Sequence, residues 1–135
     1  MKKIVVIDGN GGKIGKAIID RLMEEKLNAE VIAIGTNAIA TAYMIKNQPI
    51  QGATGENPVV VNSSDADIIM GPLGILAANS LLGEITERMA VAVSSSKATK
   101  ILIPMNRCHI LVAQTKEDTL KNYIEAAVVL AKDNL

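Results

Sequence analysis

The chain has 135 residues, 49% of them apolar and 21% charged, which suits one domain over residues 1–135 with a core of its own and excludes a disordered segment. Fourteen basic residues cancel 14 acidic ones, Phe and Trp are absent and there are two Tyr. No basic field and no stacking platform exist for nucleic acid, so none is expected as a partner. No run of about twenty apolar residues is long enough to cross a membrane. One cysteine allows no internal disulfide, and the N-terminus reads as a strand rather than a signal peptide. The expectation is a cytoplasmic protein with no membrane partner.

The chain opens on Ile4-Val5-Val6-Ile7, a consecutive β-branched run of the kind a strand buried on both faces requires. The run ends at Asp8, and Gly9, Asn10, Gly11, Gly12, Lys13, Ile14 and Gly15 follow. The spacing Gly9-x-x-Gly12-x-x-Gly15 fits a GxxGxxG variant of the dinucleotide loop, whereas the stricter G-x-G-x-x-G does not fit. Gly9 suits a tight turn, Gly11 or Gly12 lets backbone approach a phosphate, and Gly15 lets a helix pack closely on the strand. The first free amides of that helix then point at an anion. A plain glycine-rich turn with no ligand is the competing structural reading. Asp8 would crowd a pyrophosphate unless turned away or bridged by Mg²⁺, which makes it the one candidate for a catalytic base or metal ligand.

The first helix is expected over Lys13–Lys26, with Ile14, Ala17, Ile18 and Leu22 on one face and Lys16, Asp20 and Glu24 on another. A second strand, Glu30–Ile34, runs into Gly35-Thr36-Asn37, where Thr36 or Asn37 caps a helix over Ala38–Lys46. No carboxylate or arginine ends this strand, so the NAD and NADP signatures are both absent, although Thr36 or Asn37 can bond a ribose. Gln48–Gly55 reads as loop. Asn57 as cap and Pro58 at the first helical position favour a short helix through Asn62, against the strand preference of three valines.

Ala66–Gly71 reads as the third strand, ended by Gly71-Pro72-Leu73-Gly74. From Leu73 to Leu82 the chain is apolar nearly all round, which points to a homodimer contact, with a ligand lid as the alternative. Thr86 caps a helix through about Ser94. Lys100–Pro104 is the fourth strand, Met105-Asn106-Arg107 a turn, and His109–Ala113 a last strand at the edge. Thr115-x-x-Asp118 resembles a capping box ahead of a final helix with Leu120, Ile124, Ala127, Val128 and Ala131 on one face.

Strands alternating with helices predict an α/β fold: a three-layer, Rossmann-like, mostly parallel sheet of four to five strands with helices on both faces. Ligands of such sheets bind at the carboxyl ends of the strands. Here these are Gly9–Gly15, Thr36 and Asn37, the turn holding Gly71, Pro72 and Gly74, and Asn106 with Arg107. Lys13 and Arg107 are the cations placed to meet a phosphate. Cys108 and His109 are neighbours, so on a strand they face opposite ways, and two ligands are too few for zinc. No G-x-S-x-G elbow is present.

Taken whole, the chain resembles a family of small bacterial proteins known as a domain of unknown function. The stretches that carry the resemblance are VIDGNGGKIGKAII, AIGTNAIAT, GATGEN, DIIMGPLGILAANSLLGEIT and ILIPMNRC. It implies a Rossmann-like fold and brings no activity or catalytic residues. The chain is also similar, more faintly, to methylglyoxal synthase, through Gly35-Thr36-Asn37 and the turn from Gly71 to Gly74. The acidic residue expected after that turn is replaced by Ile75-Leu76-Ala77-Ala78. Three functions follow as expectations. The first is a binder of a nucleotide or dinucleotide phosphate on Gly9–Gly15, with NAD(P) or another nucleotide as cofactor. The second is an enzyme acting on a small phosphorylated metabolite through Asp8. The third is a homodimeric interaction protein whose glycine turn is empty.

Overall fold

The computed structural model describes residues 1–105 and 109–135. In chain order the elements are β1 (Lys2–Asp8), α1 (Lys13–Glu24), β2 (Ala29–Gly35), α2 (Ala38–Ile45), β3 (Gln51–Thr54), α3 (Glu56–Ser63), β4 (Ile68–Pro72), α4 (Glu87–Ser95), β5 (Thr99–Ile103) and α5 (Leu120–Asp133). A 3-10 turn, Leu73–Leu76, follows β4. The five strands are all parallel, in the order β3-β2-β1-β4-β5. The chain therefore winds outward from β1 to β3, returns to the other side of β1 and winds outward again. The carboxyl ends of β1 and β4 flank the switch point, where an open α/β sheet leaves a crevice.

The sheet is covered on both faces, as its apolar strands demand. On one face Ile14, Ile18 and Leu22 of α1, Met44 of α2 and Ile124, Ala127 and Val128 of α5 pack on Ile4, Val6, Met70 and Ile101. On the other, Val59 of α3 and Met89 and Val93 of α4 pack on Val5, Ile7, Ile34 and Ile69. The three-layer α/β architecture expected from the sequence is the one observed.

Several local expectations are corrected. Gln51–Thr54 is not loop but an edge strand paired with Ile32–Gly35. Its sequence, QGAT, has no apolar alternation, so only the neighbouring strand makes it one. The helix expected with Asn57 as its cap starts two residues earlier. Gly55 is its cap, at φ 109 and ψ −174, and Pro58 falls at the third helical position. Proline is tolerated there because the first four helical amides have no intrahelical partner. The residues from His109 to Ala113 form no strand, and Leu111 stands 88% exposed. Thr119, not Thr115, caps α5 by accepting from the Asn122 amide.

The apolar stretch Leu73–Leu82 packs in part on the chain's own core. Ile75 and Leu81 are buried in the chain's own core with Ile7, Ile34, Ile85 and Met89. Ser80 is buried as well and donates to the Gly74 carbonyl at 2.5 Å. These residues close one end of that core. Ala78 and Asn79 are exposed, and Leu82 is fully so.

Candidate functional site

The last residue of β1 sets the chemistry of the glycine loop. Asp8 is 3% exposed. Its Oδ1 accepts the Gly9 amide at 2.8 Å and its Oδ2 the Gly15 amide at 2.7 Å. Burial pushes the carboxyl above its ordinary range, and the amides of Gly15, Gly9 and Ile14 pull the other way without cancelling it. The inner part of the helix N-terminus therefore already holds an anion, supplied by the chain itself. This corrects the expectation of a wholly bare set of amides on Gly9–Gly15. Both oxygens of Asp8 are engaged, and among the described residues no group of three or more His, Cys, Asp or Glu is placed to hold a metal ion.

The glycines divide by role. Gly12 caps α1 in the left-handed region, at φ 77, and a Cβ there would lie 2.7 Å from the Ala40 carbonyl oxygen. Gly15 is tight for packing: a Cβ would meet Met44 Cε at 2.7 Å and Asp8 Cβ at 2.9 Å. Gly9 is buried, and a Cβ there would lie 2.6 Å from Thr36 Oγ1. Gly11 alone of these is open, with nothing within 4 Å of an added Cβ.

The turn after β2 joins this loop. The Thr36 amide donates to the Asp8 carbonyl at 3.0 Å. Asn37 Oδ1 accepts from the Ala40 amide and caps α2, while its Nδ2 donates to the Asn10 carbonyl at 2.8 Å. The sequence expectation that Thr36 and Asn37 stand beside the glycine loop is met.

A residue that sequence reasoning did not single out completes the cluster. Glu84 lies in the connection between the 3-10 turn and α4. Its Oε1 accepts the Asn10 amide at 2.9 Å, the Thr36 hydroxyl at 2.5 Å and the Asn37 amide nitrogen at 2.8 Å. Burial raises the Glu84 carboxyl, but the bonds from Thr36, Asn10 and Asn37 outweigh it and hold the group below its ordinary range. It is 74 residues from Asn10 in sequence, so no local spacing signals the contact.

The amides of the loop can then be accounted for one by one. Gly9, Asn10 and Gly15 donate to carboxylates, the Ile14 amide adds to the pull on the Asp8 carboxyl, and Gly12 donates to the Gly9 carbonyl at 2.9 Å. Gly11 and Lys13 are the two left without a partner among the described residues, on an exposed loop. The Lys13 side chain is also exposed and forms no ion pair with any described residue.

Three other expected site residues stand at the carboxyl end of β4 but are buried. Gly71 and Pro72 belong to β4, paired with Leu102 and Ile103, and both are buried. Gly74 is buried in the 3-10 turn. The Gly-Pro pair behind the fainter resemblance thus ends β4, as expected, but is buried and not an exposed turn. Asn106 and Arg107 lie outside the described residues. A cavity of about 330 Å³ opens at the opposite, amino-terminal edge, by Met1, Val31 and Pro49. Glu30 is its one charged side chain, so it offers a phosphate nothing.

The sheet order, the two covered faces and the loop cluster at the carboxyl edge define a Rossmann-like α/β protein. The chain belongs to the family described as a domain of unknown function, DUF3842, whose sequence profile matches residues 3–135. No curated protein matches it in sequence. Among solved structures, a dodecameric FMN-dependent Ubix-like decarboxylase from Escherichia coli O157:H7 superposes over 100% of this chain and 95% of that one. The identity is 16% and the TM-score 0.43, too loose a similarity to bear on ligand, activity or assembly. No helix among the described residues is long and apolar enough to cross a membrane.

Proposed function

We propose that this chain binds a nucleotide or dinucleotide, with a phosphate group seated on the outer amides of the glycine loop. The observation that carries this reading is the pair of amides, Gly11 and Lys13, that have no partner among the described residues, at the start of α1 beside the switch point. The exposed Lys13 ammonium adds a positive charge at the same place. Asp8 occupies the inner amides, so the phosphate rests on the rim of the turn and not deep within it. A catalytic or metal-binding role for Asp8 needs access to a carboxylate that is 3% exposed, which sets the enzymatic reading behind the binding one.

Thermal shift with NAD, NADP, ATP, GTP, FMN and sugar phosphates tests the proposal. A ligand at a hundred times its Kd stabilises by about 2.7 kcal/mol. Gly11→Val fills the open position without a collision, so the variant keeps its melting temperature and loses the ligand shift. A shift that survives in Gly11→Val places the ligand elsewhere. A flat panel on well-folded protein leaves an interaction protein with an empty turn.

A further inference from the structure

We infer that Glu84 is the acceptor for a ribose diol, reaching the end of β2 from the β4–α4 connection, and that it selects nucleotides whose 2′- and 3′-hydroxyls are free. The inference rests on the proposed phosphate site and goes on to name the ligand's other half. In dinucleotide-binding sheets a carboxylate following the second strand bonds the ribose hydroxyls. Thr36 and Asn37 stand at that position here, and neither is acidic. The tertiary structure brings a carboxylate to them from a distant part of the chain.

The geometry suits an acceptor held in place. Three donors from two loops fix Glu84 Oε1: the Asn10 amide, the Thr36 hydroxyl and the Asn37 amide nitrogen. Oε2 takes no hydrogen bond from any described residue. Glu84 is only half-buried, so this second oxygen is open to a ligand. An ionised carboxylate only accepts hydrogen bonds, so it matches two hydroxyl donors and opposes a 2′-phosphate.

Two exposed aliphatic side chains lie close in sequence to these residues. Leu82, two residues before Glu84, is 100% exposed, and Ile39, two residues after Asn37, is 75% exposed. Consecutive left-handed residues, Leu81 at φ 54 and Leu82 at φ 56, send the first side chain into the core and the second into solvent. With no Phe or Trp in the chain, a base has aliphatic side chains to lie on.

Calorimetric titration of the wild-type chain and Glu84→Gln with NAD, NADP, ATP, 2′-deoxy-ATP and inorganic pyrophosphate tests the assignment. Wild type is expected to prefer NAD over NADP, and ATP over 2′-deoxy-ATP, by roughly tenfold or more. Glu84→Gln brings both ratios close to one and leaves pyrophosphate binding in place. If Glu84→Gln fails to fold, Glu84→Asp withdraws the free oxygen by one methylene and shows the same loss. Pyrophosphate binding with equal affinities for NAD and NADP in the wild type overturns the role of Glu84 and keeps the phosphate site. Ribose-dependent binding lost in Glu84→Gln, without pyrophosphate binding, overturns the phosphate site and keeps Glu84. No binding of any probe overturns both.

Discussion

Gly11 and Gly12 are adjacent and alike in sequence, yet their substitutions are expected to differ. Gly12 sits at φ 77 with the Ala40 carbonyl oxygen 2.7 Å from any added Cβ. Gly12→Val combines left-handed strain on a β-branched residue with a backbone collision, an expected loss of about 2 kcal/mol or more in urea unfolding. Gly11→Val has no such contact and should unfold like the wild type. Glu84 has a pH signature at the same scale. Its carboxyl is held below the ordinary value of 4.5, so the ionised group adds stability that is complete above that value. That stability is lost as pH falls through the lowered one. Asp8 works in the opposite sense. Its carboxyl is raised above 3.8, so ionising it costs stability progressively as pH rises from 3.8 through its folded value. Melting temperatures measured between about pH 3 and 6 should show an acid-side loss in the wild type that is smaller in Glu84→Gln. An unchanged acid limb in the variant would contradict the hydrogen bonding described for Glu84.

At the scale of elements, caps and packing decide more than propensity. Asn37 caps α2 through Oδ1 and ties Asn10 and Glu84 through Nδ2. Asn37→Ala is expected to cost about 1–2 kcal/mol, read by chemical denaturation. The same change should free Glu84 and weaken ribose discrimination. A cost confined to a few tenths would mean that the side chain serves neither role. The helices were readable from the chain because their periodic apolar faces and caps are local, as Ile14, Ile18 and Leu22 in α1 or Thr86 before α4 show. Two elements were not readable, for opposite reasons. QGAT has little strand preference and becomes β3 by pairing with β2. HILVA has strong strand preference and remains unpaired. In both cases the availability of a neighbouring edge overrides side-chain preference.

For the whole molecule, the close approach of β1 and β4 is the critical joint. A Cβ added at Gly71 would collide with the Ile7 carbonyl oxygen on β1. Gly71→Ala therefore pushes apart the two strands that flank the switch point and should cost about 1–3 kcal/mol in equilibrium unfolding. It should also weaken any nucleotide bound at the crevice. If binding persists unchanged while stability falls, the ligand does not depend on the β1–β4 spacing. The far side of the sheet is tied by a charged network. Arg21 of α1 bonds Glu125 of α5 at 2.9 Å and Glu25 at 2.6 Å, and Glu25 meets Lys132 at 3.1 Å. The pairs are partly exposed to solvent, so they set where α5 lies more than how firmly it is held.

The sequence by itself determined the architecture and the location of the glycine loop. Both follow from short-range signals: a β-branched run, glycines at set intervals, and apolar residues spaced for helices. The carboxylate at the end of β1 was visible too, but its hydrogen bonds were not, because they depend on where Gly9 and Gly15 turn their amides. Only the tertiary structure decided that Asp8 fills the inner amides and that part of Leu73–Leu82 closes the chain's own core. It alone brought Glu84 across the sheet edge to Asn10, Thr36 and Asn37. Contacts between residues 47 to 74 positions apart leave no periodicity in a chain. They are fixed by strand order, and strand order is set by how the two faces of the sheet are buried.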